Sequence, residues 1–277
     1  MTRVVSWNIA KRHEPWRELV GMDADVALLQ EAGQVPEDVA GQVEIASADR
    51  PDDLYDRWPM VVKLSDRVEV EWFKPVGLMH EPAELEIPVS DVSTVAAARV
   101  IPRDADPFIV VSMYARWIIP HSSTGTTWGV GYSDGSAHRI VSDLSAFAGS
   151  SNPSTHRILA AGDLNMIYGA ADNNRLSLPA RERTVIDRMA ALGLEFLGPQ
   201  FPNGRRASPT PQGLPGDTKN VPTYYTSRRS PETAENQLDY AFASRGFHES
   251  VTVRAMNEPG QWGSSDHCRL WIEVSAG

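Results

Sequence analysis

The sequence predicts an α/β protein of the α+β kind, in which strands outnumber helices. Short apolar or alternating runs bounded by turn residues recur along the chain and indicate strands. Segments with apolar residues at helical spacing fall between groups of these strands. Of the 277 residues, 42% are hydrophobic, which is enough for a sizeable core. Length alone does not decide between one large domain and two small ones.

The first predicted unit is a strand, a helix and a second strand. The run from Arg3 to Asn8 predicts a strand that ends on Asn8, and the segment from Glu14 to Met22 has apolar residues at helical spacing. The run from Asp25 to Gln30 predicts a buried strand that is followed directly by Glu31. A buried acid needs a partner or a cation, so Glu31 is a candidate functional residue.

The next segment predicts a group of neighbouring antiparallel strands. A short helix is expected over Pro36 to Ala48, followed by a polar loop over 50–56. Four apolar or alternating runs then follow between turn signals, at 58–64, 68–73, 95–101 and 108–114. The last run ends on Tyr114, with Arg116 close behind.

Two predicted helices precede and follow, along the chain, the strand that carries the strongest functional signal. The long loop 117–134 is followed by a predicted helix over 137–147, and a second helix is expected over 179–192. Between them, Ile158 to Asp163 is an apolar run in which a glycine precedes Asp163. The glycine frees the backbone where the run stops, so Asp163 and Asn165 are placed at a strand end where they can converge on one ligand.

The C-terminal third combines a polar segment with three strands. The segment 199–236 is rich in Pro, Gly, Asn and Thr, and we interpret it as a long surface insertion in a single domain over 1–277. Strands are predicted at 237–243, where Asp239 lies at the start, and at 250–256 and 268–274. Asp266 and His267 immediately precede the last strand.

These polar residues at strand ends are the components of a metal-assisted hydrolase. They are Asn8, Glu31, Tyr114, Asp163, Asn165, Asp239, Asp266 and His267. Carboxylates and carboxamides without a thiolate suit a hard divalent cation such as magnesium. His267 is the evident general acid or base, and Asp239 is a candidate to fix its tautomer. Any one of these residues is more often structural, but together they favour hydrolysis of a phosphate ester.

Composition limits the function classes. The net charge of −10 argues against binding nucleic acid by bulk electrostatics, but an acidic metal site or a local basic patch leaves a nuclease possible. The single cysteine, Cys268, excludes an intramolecular disulfide and a Cys-rich zinc site. The first residues lack a secretory pattern and no stretch approaches the ~20 apolar residues of a membrane span. We therefore expect a soluble cytoplasmic protein without membrane insertion.

Five ordered motifs resemble those of the endonuclease/exonuclease/phosphatase superfamily, which includes pancreatic deoxyribonuclease and the abasic-site endonucleases. The motifs are Trp7-Asn8, Leu29-Gln30-Glu31, Gly162-Asp163-Leu164-Asn165, Leu238-Asp239-Tyr240 and Ser265-Asp266-His267. Their order and spacing match from Val4 to the C-terminus. The resemblance implies a four-layered α/β sandwich, with two mainly antiparallel β-sheets packed face to face and helices outside.

The resemblance also implies a magnesium site. Glu31 is expected to bind the catalytic Mg²⁺, for which Mn²⁺ is a possible substitute. Asn8 is expected to lie close to the ion, and Asp266 to complete its environment.

The catalytic roles follow from the same resemblance. Asp163 and Asn165 are expected to position and activate the attacking water and the phosphate. Asp239 is expected to orient His267, which contacts the scissile phosphate, and Tyr114 matches the site tyrosine of the abasic-site branch.

The chain departs from both named branches next to Tyr114. It continues with Ala115-Arg116-Trp117, where abasic-site enzymes usually have a Pro-Asn type of continuation. Pancreatic-type enzymes usually place a histidine near this tyrosine, whereas here His121 and His138 are both out of register. We expect Arg116, Trp117, Trp128, His138 and the insertion to set substrate choice, because arginine pairs with phosphates and aromatic rings stack on unpaired bases.

The predicted function is a magnesium-dependent phosphodiesterase that acts on nucleic acid, with a DNA endonuclease favoured. The enzymatic alternative is a phosphatase or phosphodiesterase of a small phosphorylated molecule or lipid headgroup, which agrees with the negative net charge. The third hypothesis is a non-catalytic binding module. It is disfavoured because such a protein need not keep Glu31, Asp163, Asp239 and His267 together.

Overall fold

The computed structural model of the protein contains two six-stranded sheets that lie face to face. It describes residues 1–46, 58–90, 94–125, 132–148, 155–172 and 178–276. The first sheet has the strand order β13 (Val251–Ala255), β14 (Leu270–Val274), β1 (Thr2–Asn8), β2 (Val26–Gln30), β4 (Met60–Lys63) and β3 (Glu44–Ile45). The second has the order β11 (Leu194–Gly198), β12 (Asp239–Ser244), β10 (Ile158–Asp163), β9 (Phe108–Tyr114), β8 (Val95–Pro102) and β5 (Val68–Trp72). A separate parallel ribbon consists of β6 (Lys74–Gly77) and β7 (Glu86–Val89).

Helices cover both outer faces of this sandwich. Helix α1 (Glu14–Val20) packs Trp16 and Leu19 on the outer face of the first sheet. Helices α2 (Asp134–Ala148) and α3 (Pro179–Ala191) pack their apolar sides on the outer face of the second sheet. The result is helix, sheet, sheet, helix, which confirms the predicted four-layered α/β sandwich.

Side-chain alternation along the central strands separates the three apolar layers. In β1, Val4 points into the core between the sheets, whereas Val5 and Trp7 pack with α1. In β9, Val110 points into the same central core and Val111 packs with α2 and α3. Strands that are buried on both faces read as continuous apolar runs, which is why the sequence shows them so clearly.

One parallel pair lies in the middle of each sheet. Strand β1 pairs in parallel with β2, and β9 with β10, whereas the other pairings within the two sheets are antiparallel. Strands β1 and β2 also contact β10 and β9 across the sandwich. The carboxyl ends of all four strands therefore meet at one edge of the sandwich, where Asn8 pairs with Gln30 and Asp163 with Tyr114.

The space between the sheets changes from apolar to polar toward this edge. After the apolar central core comes a buried polar layer of Ser6, Gln30 and Ser112. Gln30 Nε2 donates to Ser112 Oγ at 2.9 Å, and Ser112 Oγ donates to the carbonyl of Leu29 at 2.7 Å. These bonds satisfy the Gln30 amide nitrogen and the Ser112 hydroxyl, which would otherwise be costly to bury, and the next residues of the strands lie at the edge of the sandwich.

Most predicted elements are present, with two clear errors. Strand β4, predicted as a neighbour of β5, β8 and β9, pairs instead with β2 and β3 in the other sheet. The helix predicted over Pro36 to Ala48 is wrong within the described residues, where only a 3-10 turn at Ala40–Gln42 and strand β3 occur. The β-branched side chains of Val43 and Ile45 favour extended backbone, and β3 pairs with β4 at the sheet edge. Helix α2 begins at Asp134, three residues before the predicted start.

Three strands were not predicted, and two predictions concern residues outside the described part of the chain. Strands β6, β7 and β11 were not expected from the sequence. The polar loop at 50–56 and Trp128 lie outside the described residues. Among the described helices, none is both long and apolar enough to cross a membrane.

Gly162 is the position in β10 where a side chain would be least tolerated. A Cβ built there would lie 2.0 Å from the carbonyl oxygen of Met113 on β9. Gly162→Ala should therefore lower the free energy of unfolding by about 3 kcal/mol, measured by urea denaturation. The control is Gly216→Ala, because Gly216 has no atom within 4 Å of a built Cβ. The free energy of unfolding of Gly216→Ala should stay within about 0.5 kcal/mol of the wild type. An equal loss of stability in the two variants would show that the close contact between Gly162 and Met113 is not what makes an alanine costly there.

Candidate active site

Asp163 lies at the end of β10 and is held in a single orientation. It is 1% exposed. The backbone N–H of Asn165 donates to Asp163 Oδ1 at 2.8 Å, and Asn165 Nδ2 donates to Asp163 Oδ2 at 3.1 Å. Asn165 Nδ2 also donates to the carbonyl of Ala115 at 3.0 Å. The turn after β10 thus fixes both carboxylate oxygens.

Asn8 connects Asp163 to a second carboxylate, Glu31. Its Nδ2 donates to Asp163 Oδ2 at 3.0 Å and lies 3.5 Å from Glu31 Oε1. Its Oδ1 accepts from the N–H of Ala10 at 3.0 Å, which orients the amide nitrogen toward the two acids. The hydroxyl of Tyr114 donates to Glu31 Oε1 at 2.9 Å. The ends of β1, β2, β9 and β10 therefore form one hydrogen-bonded cluster.

Asp239 and His267 form a buried acid–base pair on the other side of Asp163. His267 Nδ1 lies 2.8 Å from Asp239 Oδ2, and both side chains are nearly inaccessible. His267 Nε2 lies 3.9 Å from Asp163 Oδ2, which is too long for a direct hydrogen bond. A substrate oxygen or a water can bridge that gap. The ring of Tyr224 lies against the imidazole, with centroids 4.8 Å apart.

Asp266 lies at the rim of this cluster. Its Oδ1 lies 3.2 Å from Ser265 Oγ and 3.8 Å from Arg12. Ser265 Oγ donates to the carbonyl of Asn8 at 2.7 Å, so the approach to β14 is attached to the end of β1.

The backbone at the site is strained. Four non-glycine residues of the described chain have positive φ, and all four are at or next to the strand ends: Ala10, Lys11, Glu31 and Asn165. The N–H of Lys11 donates to the carbonyl of Glu31 at 2.8 Å, so two of the strained turns support each other. Such conformations cost about 1–3 kcal/mol each and concentrate at functional sites.

Burial and charge shift the proton affinities of two site residues. Burial raises the pKa of Asp163 to about 7; the charge of His267 opposes this shift and that of Asp239 adds to it. Burial lowers the pKa of His267, but the charge and hydrogen bond of Asp239 and the charge of Asp163 outweigh it and raise the pKa to about 10. At neutral pH the imidazole is therefore protonated, while Asp163 can either accept or release a proton.

The donor set fits a divalent cation. One ligand-type atom each from Asp163, Asp239 and His267 lie within 4.8 Å of one another, so this cluster could hold a metal ion. However, Asp239 and His267 already share a hydrogen bond, which a metal bound by both would have to break. Glu31 lies beside Asp163 through the shared Asn8 amide and adds a further carboxylate. Oxygen donors of this kind suit a hard ion such as Mg²⁺ or Mn²⁺.

Of the three described residues predicted for substrate binding, Arg116 and Trp117 lie next to the site, whereas the ring of His138 contacts helix α3. Arg116 follows the site directly, and its N–H donates to Ser136 Oγ at 3.0 Å. Trp117 is 45% exposed beside it. His138 belongs to α2, and its ring nitrogens contact Thr184 and Arg188 of α3 at 3.0 Å each.

Sequence reasoning missed Thr223 and Tyr224. Both lie in the segment predicted to be a surface insertion, yet Thr223 is fully buried and Tyr224 contacts His267. Burial raises the pKa of the Tyr224 hydroxyl, and the charges of Asp266, Asp163 and Glu31 raise it further. The only sequence signal was the short ordered-looking run from Val221 to Tyr225 inside a segment rich in turn residues.

The chain belongs to the endonuclease/exonuclease/phosphatase family. The family model matches residues 5–267, which include every strand end described above. Membership in this family indicates a hydrolase of the nuclease or phosphatase type. No curated protein gives a significant match to the sequence.

Solved structures show the same fold at low sequence identity. The AP endonuclease LMAP from Leishmania major is 15% identical, with a TM-score of 0.64 over 99% of this chain and 88% of that chain. The catalytic domain of APE2 from Xenopus laevis is 17% identical, with a TM-score of 0.60 over 100% and 94%. The 3′ phosphatase NExo from Neisseria, bound to a product DNA hairpin, is 13% identical, with a TM-score of 0.59 over 99% and 100%.

Asp163 should reduce stability at neutral and alkaline pH. Its pKa is raised on folding, so the folded state holds the proton more tightly and stability falls as pH rises from about 4 to about 7. In metal-free protein above about pH 7, Asp163→Asn should be more stable than the wild type by on the order of 2 kcal/mol in urea denaturation. The difference should shrink toward pH 4. The control is Asp25→Asn, which should be destabilised because Asp25 is buried against Arg67. If Asp163→Asn were less stable than the wild type at pH 8, the raised pKa of Asp163 in the folded protein would be contradicted.

Asp239 should keep His267 protonated. In metal-free protein, NMR titration of the His267 ring should show no loss of the proton up to about pH 8. In Asp239→Asn the midpoint should fall to about 6.5 or below, because burial then acts without the main compensating charge. A wild-type midpoint near the ordinary histidine value, unchanged in the variant, would show that the pair is not coupled in this way.

Proposed function

We propose that the protein is a divalent-metal-dependent phosphodiesterase that hydrolyses nucleic acid, with internal cleavage of DNA as the favoured reaction. The observation that carries the proposal is the position of Asp163. It lies 3.9 Å from the protonated His267 and shares the Asn8 amide with Glu31. A base, a cationic acid and a metal-binding carboxylate thus surround one point, as hydrolysis of a phosphodiester requires.

Asp163 is the proposed general base. Its pKa of about 7 lies near the working pH, where a base is both available and able to take a proton. The amides of Asn8 and Asn165 hold its carboxylate, so the oxygen that receives the proton of the attacking water is fixed in place. Attack by water in one step needs no covalent intermediate.

His267 is the proposed donor to the phosphate. Its Nδ1 is bound to Asp239, so its Nε2 is the nitrogen that faces the substrate. An imidazolium placed there stabilises negative charge as it builds on the phosphoryl oxygens. Asp239 keeps the ring charged and in the required orientation.

Glu31, Asn8 and Asp266 are the residues proposed to hold the cation. The donor types favour Mg²⁺, with Mn²⁺ as a substitute, and such an ion would polarise the phosphate and offset its charge. Tyr114 orients Glu31 through its hydrogen bond. To offer its oxygen, Asn8 would have to turn its amide and release the N–H of Ala10.

Nucleic acid is the proposed substrate because of the site rim and the structural neighbours. Trp117 is exposed beside Arg116, so an aromatic ring that can stack on a base lies next to a cation that can bind phosphate. The neighbours include AP endonucleases and a phosphatase bound to a DNA hairpin. His138 can join this surface only by leaving Thr184 or Arg188. The net charge of −10 instead favours the alternative, a small phosphorylated molecule.

Nicking of supercoiled plasmid tests the proposed function. The wild type should convert plasmid to the open-circular form with magnesium and not with a chelator. Asp163→Asn and His267→Ala should slow the reaction by about 10²- to 10⁴-fold, because each removes one proton-handling group. The control is Asp172→Asn, which removes an exposed carboxylate paired with Arg183 and should leave the rate unchanged.

The outcomes separate the candidate functions. Equal rates for Asp163→Asn and the wild type would refute the proposed site. Magnesium-dependent hydrolysis of small phosphate esters, without cleavage of DNA or RNA, would select the small-molecule alternative. Binding of nucleic acid by a folded protein that hydrolyses neither class would select the binding module.

A further inference from the structure

A short segment from the predicted insertion joins the two chain segments that carry Asp239 and His267. We call residues 221–225 the crosspiece. The N–H of Thr223 donates to the carbonyl of Asn236 at 2.8 Å, and its carbonyl accepts from the N–H of Cys268 at 2.8 Å. Tyr224 likewise forms bridges with both Asn236 and His267. The crosspiece therefore contacts the start of β12 on one side and the approach to β14 on the other.

The side chain of Thr223 completes this connection. Its hydroxyl oxygen accepts from the N–H of Leu238 at 2.9 Å and from the N–H of Asp239 at 3.1 Å. Both amides lie beyond the end of the pairing between β11 and β12, which stops at Ala241. Buried amides need acceptors, and the Thr223 hydroxyl supplies one to two successive residues.

The same residue is thus bonded to the backbone on both sides of the Asp239–His267 pair. Its hydroxyl holds the N–H of Asp239, and its carbonyl holds the residue next to His267. Asp239 is in β12 of the second sheet, whereas His267 lies three residues before β14 of the first sheet, so the distance between their side chains depends on what links the two chain segments at this point. Within the pair the distance is 2.8 Å, and a hydrogen bond of that length weakens with small displacements.

We infer that Thr223 is a positioning residue that sets the geometry of the Asp239–His267 pair through its hydroxyl group. The inference rests on the proposed function, in which this pair acts on the phosphate. Thr223 itself is fully buried, so we assign it a role that acts through Asp239 and His267. Its hydroxyl orients the segment that carries Asp239, and this in turn orients the imidazole.

Three variants separate positioning from a purely structural role. Thr223→Val keeps the shape and removes the acceptor, whereas Thr223→Ser keeps the acceptor. The matched control is Val221→Ala, which removes buried apolar volume from the same crosspiece and leaves the Thr223 hydroxyl in place. All three are measured for thermal stability, so that a general loosening of the crosspiece is recorded separately.

The first readout is the NMR signal of the His267 Nδ1 proton in metal-free protein without substrate. A proton in a short bond to a carboxylate resonates far downfield. In Thr223→Val this signal should move upfield or vanish through exchange with water, and Thr223→Ser and Val221→Ala should keep the wild-type position. A fourth variant, Thr223→Ala, also lacks the hydroxyl and should behave like Thr223→Val. An unchanged signal in both hydroxyl-free variants would overturn the inference.

The second readout is the split between kcat and KM on the DNA substrate. Thr223→Val should lower kcat by about 10- to 100-fold with KM nearly unchanged, because a displaced catalytic group affects turnover more than binding. Thr223→Ser should restore kcat. Equal kcat values for Thr223→Val and Val221→Ala would overturn the inference while leaving the proposed function intact. A wild type without turnover would refute the proposed function, and the NMR signal would still decide the role of Thr223.

Discussion

The structure depends on one geometric constraint: parallel strands that lie side by side must present their carboxyl ends at the same edge. Each sheet has one such pair at its centre, β1 with β2 and β9 with β10, and the two pairs face each other. Four strand ends therefore meet at one place. The residues there are polar and lie beyond the buried polar layer of Gln30 and Ser112. The antiparallel neighbours β12 and β14 then bring Asp239 and His267 to the same cluster from their amino-terminal sides.

Strained backbone and a buried acid at the site destabilise the folded state, and the apolar cores in the rest of the fold offset that loss. Glu31 and Asn165 have left-handed backbone, and Asp163 is a buried acid whose pKa is raised by burial. A chain optimised for stability alone would avoid all three. The apolar core between the sheets and the layers beneath the helices hold the strand ends in place despite this strain. The same features give Asp163 a proton affinity near neutrality and keep it close to the charged His267.

The central strands, and the positions of most candidate site residues at their ends, were predictable from sequence because their signals are local. Buried strands appear as apolar runs, and a polar residue that follows such a run marks a strand end. Strands β6 and β7 were missed because each has only four residues and contains a proline, which is atypical of a strand interior. Strand β11 was missed because its five residues closely follow helix α3. Thr223 was missed because its position is set by tertiary contacts with residues 236, 238, 239 and 268, and the local sequence around it is typical of a loop. The extent of the domain, with its insertion over 199–236, stays a prediction.

These strand ends are proposed to form a divalent-metal site for phosphoester hydrolysis. The most direct measurement is anomalous X-ray scattering from crystals soaked in Mn²⁺, for the wild type and for Glu31→Gln. The account predicts an anomalous peak bound to the Glu31 carboxylate, within the cluster that contains Asp163, and a weakened or absent peak in the variant. A wild-type protein that hydrolyses phosphodiesters but binds the ion elsewhere, or binds none, would contradict it.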